Sequence, residues 1–109
     1  MREIKFRYWE HDFKRMVIAD SNNTFELFEQ NYYPVMQFTG LKDSNGKEIY
    51  EGDIVARFQG KQKSYIGFKQ GEFIAWIIGE AGFVSCRIEC EGCEIIGNIY
   101  ENPDLLVKP

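Results

Sequence analysis

Apolar and polar residues alternate through Glu3–Trp9, with Ile4, Phe6 and Tyr8 on one side of an extended chain and Lys5 and Arg7 on the other. A period of two is the pattern of a half-buried strand. The polar residues Glu10, His11, Asp12, Lys14 and Arg15 predict a turn, and Met16–Ala19 the returning strand of an N-terminal hairpin that Asp20–Asn23 ends. Residues 24–33 read two ways. Asn23 and Glu26 have capping-box spacing, and Phe25, Phe28 and Tyr32 have helical spacing. Thr24–Phe28 alternates equally well as a strand, and Pro34 would stop a helix at Tyr33. The balance falls to strand or irregular structure.

Val35–Leu41 is a further strand, and it runs into Lys42–Lys47, whose Asn45-Gly46 pair suits the left-handed positions of a tight hairpin turn. Ile49-Tyr50 continues outward, Glu51-Gly52-Asp53 forms a second turn, and Ile54–Phe58 is the next strand. Glycines at 60, 67, 71, 79, 82, 92 and 97 then separate four short apolar runs: Tyr65–Phe68, Glu72–Ile78, Phe83–Cys90 and Glu94–Tyr100. Turn signals every 8 to 12 residues or so predict a small barrel or sandwich. Phe73–Ile78 is apolar on both faces, as in a central barrel strand or one buried against a partner subunit. Trp9 falls opposite the core parity read from Ile4, Phe6 and Tyr8, and Trp76 lies in that wholly apolar run, so one of the two is expected at the surface. Asn102–Val107 closes the chain, its apolar residues expected to pin the C-terminus to the core.

The expected fold is therefore mostly β, a small antiparallel barrel-like domain with an N-terminal hairpin and at most one short helix. A length of 109 residues makes residues 1–109 a single domain. Composition agrees. Apolar residues are 44% of the chain and charged residues 28%, which fits a globular core, while an aromatic share of 16% favours strands. No run reaches the roughly 18 apolar residues that cross a bilayer, and the first residues lack the apolar block of a signal peptide. No membrane association and a cytoplasmic location are expected. The three cysteines, all within Cys86–Cys93, are odd in number and are expected as reduced thiols.

A net charge of −4 gives no general attraction to nucleic acid, but the charge is polarised along the chain. Between Ile54 and Gly71 stand Arg57, Lys61, Lys63 and Lys69 with no acid, whereas from Glu72 onward seven acids face only Arg87 and Lys108.

Three stretches carry a family likeness: Ile4–Trp9 (IKFRYW), Gln37–Val55 (QFTGLKDSNGKEIYEGDIV) and Ile96–Leu106 (IGNIYENPDLL). Together they resemble the YopX family in order and across nearly the whole chain. The resemblance implies an origin in phages or prophages of Gram-positive and gut bacteria, a mostly β fold, and an uncharacterised biochemical role; it supplies no catalytic residues. The glycine–aspartate turn opening Ile54-Val55 also resembles the start of SH3-like barrels, an analogy of fold that carries no function. The central stretch reads first as folding machinery, with Tyr50, Glu51 and Asp53 as a candidate motif surface.

Candidate chemistry is sparse. Cys86-x3-Cys90-x2-Cys93 has zinc-ligand character, but three ligands are not four, and the sole histidine, His11, is about 75 positions upstream. As a strand, Phe83–Cys90 would instead place Cys86 and Cys90 on one face with Val84 and Ile88 as core residues. No metal and no cofactor are expected. His11 lies between Glu10 and Asp12 in an expected exposed turn, and the sequence has no HExxH-type run or phosphate-binding glycine loop, so no enzyme is expected. The stretch Arg57, Phe58, Lys61, Lys63, Tyr65 and Lys69 interleaves cations with rings, a surface that could follow a nucleic-acid backbone while rings stack on bases. Lysines on strands also serve simply to discourage aggregation. The sequence thus leads to a non-enzymatic phage accessory protein that binds itself, as a homo-oligomer, and a phage or host protein. A nucleic-acid-binding barrel using residues 57–69 is the second reading.

Overall fold

The computed structural model describes residues 3–19 and 32–107. The ambiguous segment 24–33 lies outside them except for Tyr32 and Tyr33, which belong to no helix or strand. Among the described residues the chain forms two antiparallel sheets. The first has the order β2-β1-β3-β4, from β1 (Phe6–Glu10), β2 (Arg15–Ile18), β3 (Val35–Lys42) and β4 (Glu48–Tyr50). The second, a half-barrel, has the order β8-β7-β6-β5-β9, from β5 (Asp53–Arg57), β6 (Gln62–Lys69), β7 (Glu72–Ile77), β8 (Phe83–Ser85) and β9 (Glu94–Asn98). One helical turn, α1 (Cys86–Glu89), and a 3-10 turn at Pro103–Leu106 complete the described elements. The mostly β expectation and the N-terminal hairpin hold.

The main core lies between the sheets. Ile49 of β4 meets Val55, Ile66, Phe73 and Ala75 of the second sheet, together with Cys86, Cys90 and Cys93, and Leu41, Val84 and Ile95 pack around them. β7 lies between β6 and β8, and its apolar run is buried on both faces at Phe73, Ile74 and Ala75. Alternate residues face this core, while Ile74, fully buried, points to the opposite face.

Two expectations are corrected. In β1 the buried residues are Arg7 and Trp9, whereas Ile4 is exposed and Phe6 and Tyr8 are only half-buried. The parity read from the apolar residues is thus reversed, because Arg7 turns inward to an acid on β5 and Trp9 stacks on Tyr100 with ring centroids 5.8 Å apart. The second correction concerns Phe83–Cys90, which is not one strand: the chain leaves β8 after Ser85 and turns into α1. Cys86 and Cys90 are buried four residues apart on this helical turn, and Ile88, expected beside them, is exposed. Of the two tryptophans, Trp9 is buried and Trp76 half-buried.

Candidate functional site

The most extensive polar constellation is built from the stretches that carry the family likeness. Arg7 Nη2 donates to Asp53 Oδ1 at 2.9 Å and to the Glu51 carbonyl at 3.1 Å, so β1 of the first sheet is fastened to the start of β5 in the second. The guanidinium also lies 4.7 Å from the Tyr50 ring centre, a cation–aromatic contact. The other Asp53 oxygen accepts the Tyr50 N–H at 2.8 Å. Burial raises the Asp53 carboxyl above its ordinary range, and the charge of Arg7 and the bond from Tyr50 only partly offset that. Glu51 reaches back to accept the Gln37 N–H at 2.8 Å. Tyr50 and Asp53 are therefore buried, and the candidate motif surface faces inward. Gly52 makes this turn with φ of +88°, and a β-carbon there would stand 3.0 Å from the Met36 sulfur.

Asp43 does equivalent work at the tip of the β3–β4 hairpin. Its Oδ1 accepts N–H bonds from Asn45 and Lys47, both at 2.9 Å, and its Oδ2 accepts the Ile95 N–H of β9 at 3.0 Å. Burial alone would raise this carboxyl, but the three backbone donors outweigh it and hold the group below its ordinary value. The Ser44 N–H adds a bond to the Cys93 carbonyl at 2.8 Å. In the closing stretch, Asn98 Oδ1 accepts the N–H groups of Tyr100 and Glu101, and Asn102 Oδ1 accepts the Asn98 N–H at 3.1 Å. The signature residues fold the chain and join its two sheets.

The basic–aromatic stretch divides. Paired residues on neighbouring strands share a face, and the pair Arg57 and Gln62 belongs to the core side, where both reach the buried Glu89 of α1. The Ser64 hydroxyl completes that carboxylate's partners at 3.1 Å. Phe58 and Lys61 are exposed at the β5–β6 tip. Lys63, Tyr65 and Lys69 lie on the opposite face of β6, and only these three of the six candidates share a surface.

The same face carries two rings that the sequence reading did not include. Tyr65 is paired with Trp76 and Trp76 with Phe83, forming a row across three strands with centroid separations of 6.4 and 5.0 Å. Lys69 Nζ lies 5.2 Å from the Trp76 ring and 5.0 Å from that of Phe83. Gly67 makes room for the row, since a β-carbon there would stand 3.1 Å from the indole nitrogen. Phe83 was invisible as a member because strand pairing across Gly79–Gly82 is not written in any local pattern.

The zinc reading gains no support in the geometry. His11 gathers with Tyr32, Tyr33 and Asp12 at the β1–β2 turn, its Nδ1 3.1 Å from the Asp12 carboxylate. The three cysteines are buried free thiols, with Cys86 and Cys90 Sγ 2.9 Å apart. Sulfur contacts and burial push the Cys90 and Cys93 thiols well above their ordinary range. Among the described residues no group of three or more His, Cys, Asp or Glu is arranged to hold a metal ion, and no helix is long and apolar enough to cross a membrane.

A groove of about 530 Å³ opens between the sheets, lined by Thr39, Gly40 and Leu41 of β3, the Gly71–Phe73 turn, and Ser85, Cys86 and Arg87 where β8 meets α1.

A two-sheet β protein joined by these signature residues defines the class, and comparison with known proteins gives the family. The YopX protein family matches residues 10–107, and the chain belongs to it. Among solved structures, protein EF1440 from Enterococcus faecalis is similar at 27% identity and a TM-score of 0.68, over 97% of this chain and 99% of that one. No curated protein matches.

Proposed function

We propose that this protein acts by binding rather than catalysis, as a phage or prophage accessory protein whose second sheet engages a protein of phage or host. The observation that carries the reading is the row Tyr65, Trp76 and Phe83, flanked by Lys63 and Lys69 on one face of the sheet. Aromatic residues at protein interfaces offer large apolar area at low entropic cost, and interface hot spots are enriched in them. Phe83 is 38% exposed, so the row is available to a partner. A photo-crosslinking phenylalanine at position 83, expressed in a prophage-carrying host, is expected to give a discrete protein adduct that Lys69→Glu abolishes. A probe at Glu101 should give none. Equal adducts at both positions, or none at 83, would sink the reading.

A second reading follows from the two lysines beside those rings. A single-stranded nucleic acid could stack on Tyr65 and Trp76 while Lys63 and Lys69 meet its phosphates. Arg57 takes no part, since it faces the other side of the sheet and is paired with Glu89. Light scattering after size exclusion, with and without short single-strand and duplex DNA at low salt, separates the two. A shift that salt reverses would favour nucleic acid; an oligomer indifferent to DNA would favour protein binding.

A further inference from the structure

The row of rings stops at the edge of its sheet, and the backbone at that edge is open. β8 is the last strand of the order β8-β7-β6-β5-β9. The β3–β4 hairpin covers the opposite end, where the Ile95 N–H of β9 donates to Asp43 Oδ2 at 3.0 Å and the Cys93 carbonyl accepts the Ser44 N–H at 2.8 Å. Beside β8 there is no such cover among the described residues. Phe83-Val84-Ser85 also carries neither the charge nor the proline that commonly blunts an exposed edge.

Strand register decides which groups are open. The Ile78 N–H donates to the Lys63 carbonyl, so these two residues form a hydrogen-bonded pair, and bonded and non-bonded pairs alternate along antiparallel strands. It follows that Trp76 bonds to Tyr65 on β6, and Ala75 to Val84 on β8. Phe83 and Ser85 flank Val84, so both turn their N–H groups away from β7, and Phe83 its carbonyl as well. The ring separations agree: the non-bonded pair Trp76 and Phe83 is closer, at 5.0 Å, than the bonded pair Tyr65 and Trp76, at 6.4 Å. Lys69 supplies the charge. Its Nζ stands 5.0 Å from the centre of the Phe83 ring, and among the described residues it pairs with no carboxylate, not even that of Glu72, its neighbour across the β6–β7 turn.

We infer that an extended segment of the partner protein adds to β8 as a further strand, with an apolar or aromatic residue opposite Phe83 and an acidic residue within reach of Lys69. This rests on the proposed function and names how the partner is held. Main-chain bonds at Phe83 and Ser85 give the segment its grip, and side chains on alternate positions give the selectivity. The residue opposite Phe83 lies on the same face, so it extends the row of rings past the edge. A second copy's β8 does not meet the requirement. Phe83-Val84-Ser85 brings no acid to Lys69, and a two-fold pairing of the edges would bring two Lys69 ammonium groups to one junction.

Ser85 has φ of −58° and ψ of 134°, a conformation proline adopts without strain, and its side chain caps no N–H of α1. Ser85→Pro therefore removes one outward N–H and sets a ring against the incoming strand while keeping the fold, which circular dichroism and the melting temperature check. In the crosslinking experiment at position 83, Ser85→Pro should cut the adduct about tenfold or more. The wild-type adduct should map to a segment with an Asp or Glu within two residues of the crosslinked one. Amide exchange of the free full chain needs neither partner nor variant: the N–H groups of Phe83 and Ser85 should exchange fast and that of Val84 slowly. Slow exchange at 83 or 85, an adduct undiminished by Ser85→Pro, or an adduct with a second copy of this chain would overturn the inference. An adduct that survives Ser85→Pro leaves the partner on the sheet face and removes only the added strand, whereas no adduct at 83 removes both.

Discussion

The side-chain oxygen of Asn102 lies 2.5 Å from where a β-carbon on Gly97 would stand, so the 3-10 turn that ends the described chain closes over β9 only because position 97 is glycine. The same oxygen accepts the Asn98 N–H, which makes Gly97 and Asn102 one unit. Gly97→Ala is expected to destabilise the protein by about 1–3 kcal/mol through overpacking. Asn102→Ala should cost about 1 kcal/mol, the value of a typical hydrogen bond. The double variant should fall short of the sum, since removing Asn102 makes room for the methyl group. Urea unfolding of the three variants checks this, and strict additivity would count against the contact.

A second prediction concerns the bond between the sheets. Arg7→Ala leaves the Asp53 carboxylate buried without its charged partner, a loss of about 3–5 kcal/mol for a buried pair. The folded carboxyl already titrates above its ordinary value, so its contribution to stability is greatest when protonated and is lost as pH rises through the folded value. Without Arg7 that value moves further up. The deficit of the variant should therefore be smaller at pH 4.5 than at pH 7.5 in urea titrations; a deficit independent of pH would refute the pairing.

Asp43 should behave with the opposite sign. Its carboxyl titrates below the ordinary value, so the stabilisation is present above the unfolded value and disappears as pH falls through the folded one. Asp43→Ala, which orphans N–H groups at 45, 47 and 95, is expected to cost about 1–3 kcal/mol at pH 7. The difference from wild type should shrink below about pH 4, near the ordinary carboxylate range.

The thiols give a simpler check. All three cysteines are buried, and those of Cys90 and Cys93 are held largely protonated, so none should react readily with a thiol reagent at pH 8 in the native state. Denaturant should release three equivalents. Fast native labelling would contradict the packing of α1 against β7.

The turns were legible in the sequence because glycine chemistry is local: Gly46 and Gly52 take the left-handed conformation at their turns, although Asn45, expected left-handed beside Gly46, does not. Strand positions followed from the same punctuation. The face of β1 was not legible, because the pattern counts Ile4, Phe6 and Tyr8 as core, whereas Asp53, some 46 positions away, draws Arg7 inward. Cys86–Glu89 was misread because Cys, Arg, Ile and Glu alternate apolar with charged residues, the period of a strand, over a segment too short to show a helical period. The proposed binding face was legible in part, since Lys63, Tyr65 and Lys69 share one strand while Trp76 and Phe83 join them only through pairing.

The carboxylate of Asp43 draws its third donor from Ile95, 52 positions later in the chain. During synthesis the first sheet therefore leaves the ribosome with that oxygen lacking the amide that will hold it, and β5 likewise waits for β9, from Ala56 and Glu94, 38 positions apart, to Asp53 and Asn98, 45 apart. The second sheet lacks its β5–β9 ladder, and the β3–β4 hairpin its bond to Ile95, until β9 arrives. The polypeptide should consequently acquire its structure in one concerted event after β9 has emerged, and a break anywhere between the sheets should yield two fragments that fold only together.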